Sequence, residues 1–93
     1  MRLIAITVAM AASLLATGAN ASEALAKSNG CMTCHTVEKK KMGPPFKESA
    51  AKYKGKAGAE ATLVKKLSDA KDHPEVKAKG DDLTAIVKWV LAQ

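Results

Sequence analysis

The sequence predicts an all-α protein of three to four short helices around one bound group. Three observations carry this. No segment alternates apolar and polar residues with the period of two that a half-buried strand requires. Leu83, Ile86, Val87, Val90 and Leu91 recur at helical spacing along one face of the C-terminal segment. Glycines and prolines at Gly43-Pro44-Pro45, Gly55 and Gly58 punctuate the chain between helical stretches.

Taken in order, the chain opens on a processing signal. Met1-Arg2 is a short positive start, Leu3 to Leu15 is apolar and uncharged, and Ala19-Asn20-Ala21 has the small-residue pattern of a cleavage site. A membrane anchor is the alternative, but the run falls short of the ~20 residues a span needs. Cleavage after Ala21 leaves Ser22 to Gln93, a single 72-residue domain with no second hydrophobic segment and so no membrane span. Ser22 is the expected cap of a first helix running to about Gly30, with Glu23 in its first turn. A loop follows from Val37 to Pro45. Phe46 to Tyr53 reads as a helix with Phe46, Ala50 and Tyr53 on one face. Ala59 to Ala70 reads as another, with Leu63, Val64 and Leu67 on one side, ended by Asp72-His73-Pro74. Asp81 or Asp82 is the expected cap of the last helix, and Trp89 sits beside its apolar stripe.

Composition narrows the function. The mature chain has one Phe, one Tyr and one Trp, little aromatic bulk for a core, and small domains need a staple. A large flat apolar cofactor would supply both. Loss of the leader removes only Arg2 from the fifteen basic residues and none of the nine acids, leaving a charge of +5. Fourteen lysines without arginine exclude base readout, and no aromatic residues interleave with them as in single-strand binders, so nucleic acid is not an expected partner. Spread lysines aid solubility or steer acidic partners. Lys39, Lys40 and Lys41 are either a solvated run or the border of a docking face.

Cys31-Met32-Thr33-Cys34-His35 is C-x-x-C-H. Two thiols three positions apart can each add to one of two vinyl groups on a haem edge, and the next residue then brings an imidazole beneath the iron. The cofactor expected is therefore one haem c, held by two thioethers from Cys31 and Cys34, with His35 as iron ligand. A redox-active disulfide would need a thioredoxin-like βαβ context. A structural zinc site would have only Cys31, Cys34, His35 and His73 to draw on. A plain disulfide leaves His35 unexplained.

Across nearly the whole mature chain the sequence resembles the small bacterial class I cytochromes c of the c8 or c551 type. The likeness lies in Leu25 to His35, Met42 to Tyr53, Gly55 to Ala61 and Ile86 to Leu91. It implies the class I fold, while the processing signal implies export to the periplasm. The likeness also implies that the Pro44 carbonyl accepts the His35 Nδ1–H and fixes its tautomer. The first and last helices would cross, with Gly30 at a close backbone approach near Trp89. The plain reading of Trp89 is core.

The pattern breaks at the second axial ligand. Relatives supply a methionine from a Met-Pro segment before the last helix, and this chain has none there. Met32 lies inside the haem motif and Met42 two residues before Pro44, on the His35 side. His73-Pro74 takes the matching place, sixteen residues before Trp89, in a segment that has lost a Trp- and Gly-containing stretch found in relatives. Neutral imidazole is a good iron ligand. The expectation is His35/His73 ligation with a lowered potential, a five-coordinate haem being the alternative. The function expected is one-electron transfer by a monomer to redox protein partners with acidic docking surfaces. Binding of a small gas at an open or displaceable sixth site, and service as a redox subunit of a larger periplasmic complex, are the other readings. No general base, nucleophile or substrate pocket is visible, so an enzyme is not expected.

Overall fold

The computed structural model describes residues 17–93, and every regular element in it is helical. The four α-helices are α1 (Thr17–Ser28), α2 (Phe46–Tyr53), α3 (Ala59–Ser68) and α4 (Gly80–Leu91). A 3-10 turn, Cys31–Thr33, separates the first two. The charged start and apolar run of the expected leader lie outside the described residues. Among the described residues no helix is long and apolar enough to cross a membrane.

Helix α4 is the hub, packing against each of the other three helices. Its stripe faces inward as the spacing required: Leu83, Ile86 and Val87 are buried, while Val90, Leu91 and Trp89 pack at the cluster's edge. The cluster is completed by Ala26 of α1 and by Val76 and Ala78 from the segment preceding α4. Helix α2 buries Phe46 and Ala50, and the Phe46 ring meets Trp89 edge-on with centroids 5.4 Å apart. Leu83 is only 1 % exposed. Truncating such a leucine loses its transfer free energy and leaves a cavity, so Leu83→Ala should cost about 2–5 kcal/mol. Urea unfolding of the haem-loaded protein measures this directly. A loss under about 1 kcal/mol would mean that the site collapses around the smaller side chain.

Four local expectations are corrected. Ser22 lies inside α1, because the upstream residues, Ala19 and Ala21 among them, are helical too. Glu23 accordingly pairs along the helix with Lys27, at 3.4 Å. Helix α4 begins at Gly80 behind Lys79, which provides no side-chain cap. Asp81 and Asp82 act instead as first-turn charges favoured by the helix dipole. Gly30 has open space around it rather than a close backbone neighbour. It is glycine because the chain enters the 3-10 turn with φ of 80°, the left-handed region that penalises a Cβ. Helix α3 also ends two residues early: Ala70 turns left-handed and the Lys71 N–H reaches back to the Lys66 carbonyl at 3.1 Å. That six-to-one bond closes the helix before the proline is reached.

Candidate haem site

The short turn over Cys31–Thr33 builds the site. It is held by N–H bonds from Thr33 to the Gly30 carbonyl (3.2 Å) and from Cys34 and His35 to the Cys31 carbonyl (3.4 and 3.1 Å). The turn carries two thiols and an imidazole on five consecutive residues. The following loop is pinned back on the turn. The Gly43 N–H donates to the Cys34 carbonyl at 2.8 Å, and the Phe46 and Lys47 N–H groups donate to the carbonyls of Thr36 and Val37. Lys47 also pairs with Glu38 at 2.9 Å, holding that carboxyl below its usual range, first by the hydrogen bond and then by charge.

The His35 Nδ1–H donates to the Pro44 carbonyl at 2.8 Å. A proline carbonyl only accepts, so the proton sits on Nδ1 and the Nε2 lone pair is free. Two neighbours lie close to the ring. Phe46 stacks at 5.0 Å with planes 21° apart, and Gly43 presses so close that a Cβ there would lie 2.7 Å from Nδ1. Across from His35 stands His73, its centroid 6.1 Å away and its plane within 3° of parallel. The His73 Nδ1–H also donates to a proline carbonyl, that of Pro74, at 2.7 Å.

Cys31, His35 and His73 line one cavity of about 190 Å³, whose walls include Leu63, Leu67, Val76 and Leu83. Lys52, Lys66, Ser49 and Tyr53 add polar groups to the same lining. Burial pushes the Cys31 thiol up, more than its own backbone hydrogen bond lowers it. Cys34 is not part of the cavity wall; its sulfur lies 4.0 Å from that of the exposed Met42. The two cysteines form no disulfide with each other. Lys39, Lys40 and Lys41 are all exposed on the loop after the motif, and Lys41 Nζ donates to the Met32 carbonyl at 3.3 Å.

The cavity thus gathers Cys31, His35 and His73, with Pro44 behind His35. Two contributors escaped the sequence reading. Phe46 was legible as a core position of α2, but not as the residue that stacks on His35. Gly43 was legible as part of a Gly-Pro turn, but not as the surface on which the imidazole rests. The closeness of both to the motif was the available signal.

Apolar walls, paired thiols and an imidazole with a free Nε2 suit a covalently held haem, and they define the class of c-type haem proteins. The comparisons agree. The family described as Cytochrome c matches residues 19–92. Cytochrome c-551 of Pseudomonas aeruginosa is 38% identical over 89 residues, covering 86% of each chain. Cytochrome c-552 of Nitrosomonas europaea is 37% identical over 93 residues, covering 91% of this chain and 90% of its own. The crystal structure of the class 1 cytochrome MtoD from Sideroxydans lithotrophicus ES-1 superposes with a TM-score of 0.65 at 34% identity, over 78% of this chain and 92% of its own. The chain belongs to the cytochrome c family. Its cofactor is one covalently bound haem c, and Cys31 and Cys34 fit the attachment motif. It is an electron carrier for partner proteins, not an enzyme.

Proposed function

We propose that this chain is a periplasmic, monomeric one-electron carrier whose haem iron is held between His35 and His73, at a potential below that of methionine-ligated relatives. One observation carries the axial pair: two parallel imidazoles 6.1 Å apart, each with Nδ1–H committed to a proline carbonyl. A metal–imidazole bond is about 2.0–2.1 Å, so two nitrogens facing a common metal lie about 4 Å apart and the ring centres, each about 1 Å further back, roughly 6 Å apart. The 6.1 Å spacing fits that arithmetic. Both rings have the tautomer that leaves Nε2 for the metal.

When bound, the haem supplies a reversible ferric–ferrous couple. The rest is the work of the chain. Cys31 and Cys34 form the thioethers, and Pro44 orients His35 through Nδ1. The apolar walls exclude water and leave little to reorganise when charge changes. Lys52, Lys66, Tyr53 and Ser49 are suited to the haem carboxylates. Exposed Lys39, Lys40 and Lys41 suit transient docking on an acidic partner, strengthened at low salt. Residues 1–21 are the export signal and 22–93 the mature carrier, a division supported by the A-x-A pattern.

The axial pair is tested by spectroscopy and potentiometry. The ferric protein should be six-coordinate and low-spin, without the sulfur-to-iron band of methionine ligation. His73→Met should introduce that band and raise the potential by on the order of a tenth of a volt, within the ~0.8 V that axial ligands span. His73→Ala should yield a high-spin ferric spectrum. A parent that is already high-spin, and that His73→Ala leaves unchanged, would make His73 a surface residue.

A further inference from the structure

Among the described residues Met42 is the one large apolar side chain that stands exposed, at 86 %. The loop holds it beside the attachment motif. The Gly43 N–H donates to the Cys34 carbonyl at 2.8 Å, and the Lys41 N–H donates to the Gly43 carbonyl at 3.2 Å. Met42 is therefore the apex of a turn tied to Cys34, and its sulfur lies 4.0 Å from the Cys34 sulfur. Neither residue lines the apolar cavity. Lys39, Lys40 and Lys41 precede Met42 on the same loop, all exposed.

A methionine in this position fills no gap in the core, so packing does not account for it. Its sulfur chemistry offers an account. Once the haem is attached, Cys34 is a thioether, as Met42 is, and both sulfurs are open to the same oxidants. They differ in access. The Met42 sulfur carries a methyl group and stands in solvent. Cys34 is half-buried, and the branched carbon of a haem edge crowds its lone pairs. Met32, the other methionine among the described residues, is half-buried as well. Oxidation follows exposure, so Met42 is the sulfur that reacts first. The lysines beside it raise the local concentration of an anionic oxidant such as hypochlorite.

We infer that Met42 is a sacrificial oxidation site, which consumes hypohalous acids ahead of the Cys34 thioether. With hypochlorous acid the Met42 sulfur gains an oxygen and is oxidised by two electrons to the sulfoxide. The O–Cl bond breaks, chloride leaves with the electron pair, and one proton is released. Methionine sulfoxide reductases reverse this product, so the site can be used again. The inference rests on covalent attachment at Cys34 and does not depend on the second axial ligand.

The test adds limiting hypochlorous acid to the haem-loaded protein and locates the added oxygen by fragmenting its peptides in a mass spectrometer. In the parent the first oxygen should fall on Met42, leave the Cys34 thioether unmodified, and be removed by methionine sulfoxide reductase. Met42→Leu keeps an apolar side chain of similar size beside Cys34 but has no sulfur. Oxidation at Cys34 should rise severalfold in this variant at the same dose, and in Met42→Ala also. A Met42→Leu protein whose Cys34 is spared as fully as the parent's overturns the proposal, because the side chain would then be only a steric cover. A first oxygen on Met32 or Cys34 of the parent overturns it too. A parent whose intact mass shows no haem overturns the attachment on which it rests.

Discussion

A chain carrying Cys31→Ala and Cys34→Ala, expressed with a cytochrome c maturation system, should hold no haem that survives acid-acetone extraction, while the parent holds one. The thioethers need a sulfur at each position, and no other cysteine exists to substitute. The consequence should extend to folding. Among the described residues the buried hydrophobic ones are Ala26, Phe46, Ala50, Val76, Ala78, Leu83, Ile86 and Val87, three of them alanines. Such a core is thin for a domain this small, and attachment of a large apolar group to Cys31 supplies burial that the side chains do not. The double variant should therefore lose cooperative unfolding as well as the visible spectrum, the largest effect expected of any substitution here. Intact mass and circular dichroism measure the two consequences. A parent found only as apoprotein with a Cys31–Cys34 disulfide would refute covalent attachment at these residues.

Gly43→Ala should be the most damaging conservative change outside the attachment motif. The added methyl would lie 2.7 Å from Nδ1 of His35, a ring already packed on Phe46 at 5.0 Å. Either the loop carrying Pro44 shifts or the imidazole tilts, and both weaken the 2.8 Å bond from Nδ1 to the Pro44 carbonyl. Overpacking of this kind costs about 1–3 kcal/mol. The bond also makes the imidazole a stronger donor, which favours ferric iron. Its loss should raise the reduction potential, so a fall in stability and a rise in potential should appear together. Urea unfolding and potentiometry on the haem-loaded variant decide the matter. Unchanged values for both would show that His35 has room to move.

The elements most legible in the sequence were those in which neighbours along the chain decide the outcome. Phe46–Tyr53 emerged with the expected bounds, because the preceding prolines and following glycine punctuate it. The α4 stripe emerged because burial of one helical face repeats every three to four residues. Helix ends were less legible. Ala70 in the left-handed region is an improbable stop for α3, and the 3-10 turn over the cysteines has no propensity signature of its own.

By itself the sequence determined the chemistry. Two thiols and an imidazole within five residues are a local fact, and their spacing names the cofactor whatever the rest of the chain does. What only the tertiary structure decided is which distant residues meet that group. His73 lies 38 positions after His35 in the chain, yet the two rings stand parallel at 6.1 Å. Phe46 and Gly43 close on His35 only because the loop folds back onto the turn. The reason is physical: spacing along the chain constrains neighbours through covalent geometry. The partners of a side chain across the fold are set by the packing of α4 against the other helices, which no single segment encodes.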